Sequence, residues 1–394
     1  MRLLIASFTY LPNRDGVATA AVAMATGLAA KGHAVTIATN PLPERGGSPS
    51  SIDGLPIYEF DGDHPDAAAR RRECDRFQAW LLEQSFDAVL CHGWNTWPTR
   101  AIIGLGSKLK AKKILVSHGF TAHFINWYPR PFWGLGPWIR NLPLVLGMPW
   151  ILRKFDWITV LSPRPTIGRL FDLWVAGWTG YRRISVVPNG TYPERFKVDG
   201  RPFRESVGAG DGLLFLCVAN YFKHKNQKLA VRCFRETGLP GATLVFIGSE
   251  LGEYGREAQA LDAELSKSYP EGRIVFLEKQ SQATISAAYA ACDAFLFTAG
   301  TETQPIVIIE AMAAGKPWIS TDTGCVRELP GGLVAVGERA LATALQRLAS
   351  EPETRSRLGA EGRKASGEKY TWAISVAAYD ALLRRLVPEP SSAS

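Results

Sequence analysis

Residues 300–312 of the chain are Gly-Thr-Glu-Thr-Gln-Pro-Ile-Val-Ile-Ile-Glu-Ala-Met, and they follow an apolar run at 294–298 that predicts a buried strand. Pro305 fits a first helical position, because its fixed φ suits the helix and its missing N–H would have no helical partner there. The stretch therefore predicts a strand, a short loop and a helix over 305–314. Such units build α/β proteins with parallel sheets.

The same stretch predicts a ligand site. The N–H groups at the start of the helix and the positive end of its dipole suit an anion such as a diphosphate. Glu302 precedes the helix and Glu310 lies inside it, so we expect two carboxylates at different depths that accept hydrogen bonds from sugar hydroxyls. Two glutamates alone would more often be solvated charges. Glu310, however, stands between Ile309 and Ala311, and burying a carboxylate without a partner is costly.

Apolar runs and helical patterns alternate along the rest of the chain, which predicts two series of βαβ units. With 394 residues and about 150 residues per domain, two domains are expected. We predict an α/β protein of two Rossmann-like, doubly wound domains facing a central cleft. The N-terminal domain covers 1–195, with a C-terminal helix over 371–387 packing back on it. The second domain covers 196–370, and 388–394 is a flexible tail.

The charge, the motifs and the cysteine spacing limit the classes of protein to which the chain can belong. The net charge of +8 favours nucleic acid, anionic lipid or phosphorylated partners. No basic helix, RNA-binding motif or zinc module supports a nucleic-acid binder, and no G-x-G-x-x-G follows the first strand as in a dehydrogenase. The six scattered cysteines form no C-x-x-C pair, and the sequence shows neither a signal peptide nor a spanning apolar run. We therefore expect a cytoplasmic protein.

Three further positions are candidates for ligand contact. Lys225, in a basic loop after the apolar run 213–219, suits a diphosphate as a point charge, although an exposed basic loop is the more common explanation of such a segment viewed alone. His118 ends a strand over 113–118 and should face the cleft, either as a functional or as a structural histidine. Gly16 permits close backbone approach before a helix N-terminus, which suits a phosphate but is also typical of a plain turn.

Together these segments resemble glycosyltransferase family 4, whose members are retaining enzymes of the GT-B fold. Glu302 and Glu310 are similar to the family's E-x7-E motif, and the run to Pro317 matches the family's segment after its second glutamate. The resemblance implies that Glu302 contacts the donor sugar, Glu310 the ribose and Lys225 the diphosphate, with His118 near the reacting sugar. The catalytic candidates are then His118 and Glu302. The donor-binding candidates are Gly16, Asn220, Lys225, Glu302, Thr303, Gln304, Pro305, Ile306 and Glu310.

The resemblance implies transfer of a hexose from a UDP- or GDP-linked sugar to a lipid-linked or polysaccharide acceptor, in cell-surface glycan biosynthesis such as that of lipopolysaccharide. The nucleotide sugar is a co-substrate, and no cofactor or metal is expected. Asp61-Gly62-Asp63 has the spelling of a metal-binding triplet, but it lies in a turn-rich loop. Asn220 stands where the family usually has an arginine. This departure motivates an alternative, a non-catalytic nucleotide-sugar-binding protein of the same fold.

Segment 124–157 has a distinct composition. Five tryptophans, several prolines and the basic residues Arg130, Arg140, Arg153 and Lys154 are interleaved there. This mixture suits the boundary between water and lipid headgroups, so we expect peripheral contact with an anionic membrane on its inner face. Buried core and acceptor-pocket lining would have the same composition.

Overall fold

The structure is a computed structural model, and it describes residues 1–119, 146–164 and 171–388, without the side chains of Phe171 and Trp174. The chain divides into two compact units, one formed by Met1–Asn189 and the residues from Trp372 onward, the other by Gly190–Thr371. The boundary predicted from the sequence was 195/196. In the structure the boundary lies earlier, between Asn189 and Gly190. Thr191 already belongs to the second unit, since its N–H bonds to the carbonyl of Tyr370 at 2.9 Å.

The first unit is built on one sheet, whose strand order is β3-β4-β2-β1-β5-β6-β7-β8. All neighbouring strands pair in parallel except β3 and β4, which are antiparallel. The strands are β1 (Arg2–Ala6), β2 (Ala34–Thr39), β3 (Ser50–Ile52), β4 (Leu55–Glu59), β5 (Ala88–His92), β6 (Lys112–Val116), β7 (Trp157–Val160) and β8 (Ile184–Val186). The helices are Gly16–Ala30, Ala67–Glu83, Trp97–Gly104, Phe171–Trp178 and Trp372–Leu386, with helical residues also at 146–152.

Strand β1 shows why this sheet is covered on both faces. Its side chains alternate between two cores, because successive residues of a strand point to opposite faces. Leu3 and Ile5 pack with the helices Gly16–Ala30 and Trp372–Leu386, whereas Leu4 and Ala6 pack in the core that contains Phe77. Parallel strands buried in this way are continuous apolar runs, which is the pattern that made them recognisable in the sequence.

The second unit has a wholly parallel sheet of strand order β11-β10-β9-β12-β13-β14. The strands are β9 (Leu214–Val218), β10 (Thr243–Gly248), β11 (Arg273–Glu278), β12 (Ala294–Phe297), β13 (Trp318–Thr321) and β14 (Gly332–Ala335). The helices are Arg201–Ser206, Gln227–Thr237, Gly252–Leu265, Gln282–Ala291, Ile306–Ala313, Glu338–Ser350 and Pro352–Lys369. Phe215 packs on one face of this sheet and Leu216 on the other.

Most strands were predictable from the sequence, but several elements were not. The β3–β4 pair escaped prediction, since Ser50–Ile52 is a short, polar edge strand with little apolar signal. The helices Ala67–Glu83, Trp97–Gly104, Gly252–Leu265 and Gln282–Ala291 were also missed. Among the described residues, no helix combines the length and the apolar character that a membrane span requires.

Candidate functional site

Two polar loops meet where the strand order of the second sheet reverses. From β9 the chain proceeds outward to β10 and β11, and from β12 it proceeds to β13 and β14 on the other side. This is the topological switch point of the sheet, where ligands of α/β proteins bind beyond the carboxyl ends of the strands. Lys225 follows β9, and Glu302 follows β12. The structure brings these two side chains into an ion pair, with each about one-fifth exposed.

The loop that carries Lys225 is fixed by backbone contacts. The Thr298 hydroxyl donates to the carbonyls of Lys225 and Asn226, at 3.2 and 3.0 Å, and the Gly300 N–H donates to the carbonyl of His224 at 2.8 Å. Asn226 has a left-handed φ of 54° and directly precedes the helix Gln227–Thr237. These bonds join the two loops, so the position of the Lys225 ammonium is set by the sheet beneath it.

The loop between Asn220 and Lys225 differs from the family pattern in charge. The Asn220 carbonyl accepts from the buried Gln227 amide at 2.9 Å and from the Phe222 N–H at 2.8 Å, so its backbone is part of the loop. The Asn220 side chain is half-buried. Lys223 lines an open pocket of about 640 Å³ together with Gly300, beside the loop of Lys225. A second cation is therefore present near this loop, at a different position in the sequence.

Glu310 lies at the other end of the candidate site, inside the helix Ile306–Ala313. Its side chain is 13% exposed, and the Arg195 guanidinium lies 3.5 Å from its Oε1. Burial raises the pKa of the Glu310 carboxyl, while the Arg195 charge and a hydrogen bond with the Tyr289 hydroxyl lower it. The carboxylate that the family resemblance assigns to the ribose is thus partly buried and has a cationic partner.

The residues between the two glutamates form the start of the helix. Pro305 is the residue before its first turn, with φ −71° and ψ 113°, and not the first helical residue that the sequence predicted. Thr303 and Gln304 are almost fully buried, and the Gln304 side chain bonds to Cys325. The Cys325 N–H donates to the Thr303 carbonyl at 2.8 Å. Ile306 is half-buried at the helix start. Thr303 and Gln304 therefore contribute to packing of the loop.

Gly16, the candidate in the first unit, begins the helix Gly16–Ala30. The preceding Asp15 already caps that helix, since its Oδ1 accepts from the N–H groups of Val17 and Ala18 at 2.9 and 3.0 Å. The Thr9 hydroxyl donates to its other oxygen at 2.7 Å. The helix start that was expected to suit a phosphate thus holds a carboxylate of the chain itself, which disfavours a second anion at those two N–H groups.

His118 lies just beyond β6 and pairs with a second histidine. Its Nε2 is 3.0 Å from Nδ1 of His92, the fully buried last residue of β5. Burial lowers the pKa of His118 to about 4, against a smaller opposite effect of Asp15. Burial and the neighbouring His118 lower the pKa of His92 as well. Both rings are therefore neutral near pH 7 and share one proton between the facing nitrogens.

A buried polar cluster supports the turn that carries His118. The carboxylate of Asp172 accepts from the Ser117 hydroxyl, from the Trp94 indole N–H at 2.9 Å and from the Leu173 N–H at 2.9 Å. The Ser117 hydroxyl also accepts from the Gly119 N–H at 3.1 Å. Burial raises the pKa of Asp172, and these hydrogen bonds oppose that shift.

Of the candidates from the sequence, the structure places Lys225, Glu302 and Glu310 around one end of the second sheet, and His118 and Gly16 in the first unit. Sequence reasoning missed Arg195 and Tyr289, the two partners of Glu310. Arg195 belongs to a short turn after the first unit ends, and Tyr289 to a helix in which it resembles any core aromatic. No local pattern marks either residue, because the contact with Glu310 arises only in the folded chain.

Two family sequence models match the chain. The description "Glycosyl transferases group 1" matches residues 201–365, and "Glycosyl transferase 4-like domain" matches residues 15–190. The sulfoquinovosyl transferase SQD2 of Arabidopsis thaliana is 26% identical over 318 residues, which is 76% of this chain and 55% of that protein. The chain thus spans about half the length of this curated relative.

Solved structures share the fold. Sucrose-phosphate synthase from Thermosynechococcus elongatus superposes with a TM-score of 0.80 at 18% identity, covering 98% of both chains. HepE from Anabaena, solved in complex with UDP and glucose, has a TM-score of 0.76 at 15% identity, covering 98% of this chain and all of the other. The two Rossmann-like units and these similarities give the GT-B fold. With both family models matched along its length, the chain belongs to glycosyltransferase family 4.

Proposed function

We propose that this protein is a retaining glycosyltransferase that moves a hexose from a UDP- or GDP-linked donor to a lipid-linked or polysaccharide acceptor in cell-surface glycan biosynthesis. The observation that carries the proposal is the pairing of Lys225 with Glu302 at the switch point of the second sheet. A cation there suits a diphosphate, and a carboxylate beside it suits sugar hydroxyls. Glu310 would accept from the ribose.

The roles follow from the chemistry of these groups. The Lys225 ammonium would leave Glu302 for the donor diphosphate and balance the charge that grows on it as the glycosidic bond breaks. Glu302 would then accept hydrogen bonds from the sugar and orient it. Neutral His118 suits hydrogen bonding to a sugar hydroxyl, and its low pKa makes an imidazolium acid an unsuitable role near pH 7.

A donor panel tests the proposal. The purified protein is titrated with UDP- and GDP-linked hexoses by thermal shift, and sugar transfer is followed with polyprenyl-linked and polysaccharide acceptors. We expect one nucleotide class to raise the melting temperature and Glu310→Ala to abolish that rise. An unchanged rise in Glu310→Ala would contradict the ribose contact.

The alternative, a non-catalytic nucleotide-sugar-binding protein, is motivated by Asn220 at the usual place of an arginine. The two hypotheses differ in turnover. Donor consumption that is lost in Glu302→Ala supports the enzyme, whereas donor binding without consumption, under acceptors of both classes, supports the alternative.

We also propose that the reaction is metal-independent. Asp63, the last residue of the Asp61-Gly62-Asp63 triplet, accepts from the Asn40 amide at 3.1 Å, and the Asp61 N–H donates to Glu73 at 3.1 Å. These contacts are those of an ordinary turn. Transfer that persists in EDTA supports this proposal. Loss of transfer that Mg²⁺ or Mn²⁺ restores would overturn it.

Peripheral membrane contact on the cytoplasmic side is a separate proposal. Most of segment 124–157 lies outside the described residues, but its described end carries Trp150, which is 66% exposed, next to the exposed basic residues Arg153 and Lys154. Exposed aromatic and basic side chains together suit anionic headgroups. We expect co-sedimentation with phosphatidylglycerol vesicles at low salt, reduced in Trp150→Ser and unchanged in Phe222→Ser, an exposed aromatic of the second unit. No sedimentation would refute the proposal.

A further inference from the structure

The Glu310 side chain is only 13% exposed, and this burial creates a chemical difficulty for a ribose-binding carboxylate. Ile309 and Ala311 on either side of it are fully buried. A carboxyl group in such surroundings favours its neutral form. A neutral carboxyl group accepts one hydrogen bond well, whereas a carboxylate accepts from both hydroxyls of a vicinal diol, and with greater strength.

The charged and titratable groups around Glu310 come from few elements. Arg195 approaches from the turn Pro193–Phe196, and Tyr289 from the helix Gln282–Ala291. The helix Pro352–Lys369 packs on another side, and its Arg363 donates to the Ala314 carbonyl at 2.9 Å, at the far end of the Glu310 helix. Lys225 is engaged with Glu302. Among the described residues, Arg195 is the cation whose charge acts on the Glu310 carboxyl group.

Arg195 is itself held in place. Its Nη2 donates to Oε1 of Gln282, and its guanidinium lies 5.6 Å from the centre of the Phe196 ring. Gln282 and Tyr289 are seven positions apart in one helix and so share a face. One helix face therefore contacts both members of the pair. Gln282 holds Arg195, while Tyr289, whose hydroxyl donates to the Val307 carbonyl at 3.1 Å, lies close enough to Glu310 to lower the pKa of its carboxyl group. Phe196 packs edge-on against Tyr289 with ring centres 5.3 Å apart.

We propose that Arg195 is a positioning residue for the nucleotide site, which keeps Glu310 ionised and oriented so that it accepts from both hydroxyls of the donor ribose. This inference rests on the proposed function, since it assumes that Glu310 binds the ribose. It assigns donor recognition in part to the turn that starts the second unit, outside the motif 302–310.

The sign of the effect is set by the charges. In the protein, burial raises the Glu310 pKa and Arg195 opposes the rise. Without the Arg195 charge the pKa of Glu310 rises further, so a larger fraction of the carboxyl groups is protonated at a given pH, and that fraction loses the second acceptor. Raising the pH ionises the carboxyl group again. Ribose recognition in an Arg195 variant should therefore weaken at neutral pH and recover in alkaline solution.

The test compares UDP with 2′-deoxy-UDP, and GDP with 2′-deoxy-GDP, by calorimetric titration between pH 6 and 9. For the tighter-binding base, we expect the wild type to prefer the ribonucleotide about tenfold or more at pH 7. Glu310→Gln should reduce this ratio at every pH. Arg195→Met should reduce it at pH 7 and restore it toward pH 9, and Arg195→Lys should retain most of it. Arg201→Met, which removes an exposed arginine of the same unit, is the matched control.

The outcomes separate the two hypotheses. A wild-type ratio in Glu310→Gln contradicts the ribose contact of the proposed function and removes the basis for this inference. Two outcomes overturn the role of Arg195 if Glu310→Gln loses the preference for the ribonucleotide. One is that Arg195→Met keeps the wild-type preference at all pH values. The other is that its preference is low and does not recover in alkaline solution. If Arg195→Met does not fold, Gln282→Ala replaces it. That variant releases Arg195 and is expected to give the same pH-dependent loss, and an unchanged ratio in it would overturn the proposal.

Discussion

Lys225 and Glu302 form an ion pair across the switch point of the second sheet, although they are far apart in sequence. The pair balances the charge of these two side chains, since an unpaired, partly buried ion would be costly. Under the proposed function, a donor diphosphate would compete with Glu302 for the Lys225 ammonium. The pair therefore holds the two side chains in place, and under the proposed function it is also a contact that the donor has to displace.

The first prediction concerns this competition. Glu302→Gln removes the competing carboxylate, so we expect UDP or GDP to bind at least as tightly as to the wild type, while sugar transfer falls by about a hundredfold or more. Lys225→Met should weaken diphosphate binding about tenfold, in line with a charge-assisted contact. Calorimetric titration and transfer assays measure both. Lys364 is an exposed lysine of the same unit, so Lys364→Met is the control for the loss of one positive charge. Markedly weaker nucleotide binding in Glu302→Gln would contradict the proposed competition.

The second prediction concerns the loop behind Glu302. Gly324 has a φ of +51°, and a Cβ on it would collide with the carbonyl oxygen of Thr303. We expect Gly324→Ala to lower the free energy of unfolding by about 2 kcal/mol or more and to weaken nucleotide binding, because the loop backbone has to move. Gly300→Ala is the matched control, since its Cβ would find its nearest neighbour at 3.8 Å. Urea denaturation checks the difference, and equal stability of the two variants would refute it.

The third prediction concerns pH. Because burial lowers the pKa of His118 to about 4, the unfolded state takes up a proton first as the pH falls below the usual value near 6.5. Stability should therefore decline between pH 6.5 and 4, by about 1.4 kcal/mol per pH unit for each such histidine. His118→Asn should make this decline shallower, whereas His224→Asn, at an exposed position, should leave it unchanged. Denaturation at several pH values gives the slopes, and an unchanged slope in His118→Asn would contradict a neutral, half-buried imidazole.

The fourth prediction concerns the C-terminal helix. The Tyr379 hydroxyl bonds to the Thr159 hydroxyl at 2.8 Å with both residues buried, and the Ser375 hydroxyl donates to the Pro188 carbonyl at 2.7 Å. We expect Tyr379→Phe to lower the free energy of unfolding by about 1 kcal/mol, because the Thr159 hydroxyl loses the shorter of its two contacts and keeps only the Leu115 carbonyl at 3.3 Å. Nucleotide affinity should stay at the wild-type value, since the contact lies in the first unit. Tyr269→Phe, at a residue 40% exposed, is the control for the substitution itself.

The amino-acid sequence by itself determined the class of fold and the family. Parallel strands buried on both faces are continuous apolar runs, and strand–loop–helix units carry their glutamates and lysines at fixed spacing. Both features can be read from short stretches of the sequence. Lys225, Glu302 and Glu310 could be named for this reason.

Only the tertiary structure decided which groups meet. The pairing of Lys225 with Glu302, of Glu310 with Arg195 and of His118 with His92 joins side chains from different elements. The tertiary structure also revealed that the Asp15 carboxylate occupies the helix start predicted to bind a phosphate. The physical reason is that charge state and hydrogen-bond partners depend on distances and burial across the fold, which the local pattern of a chain does not contain.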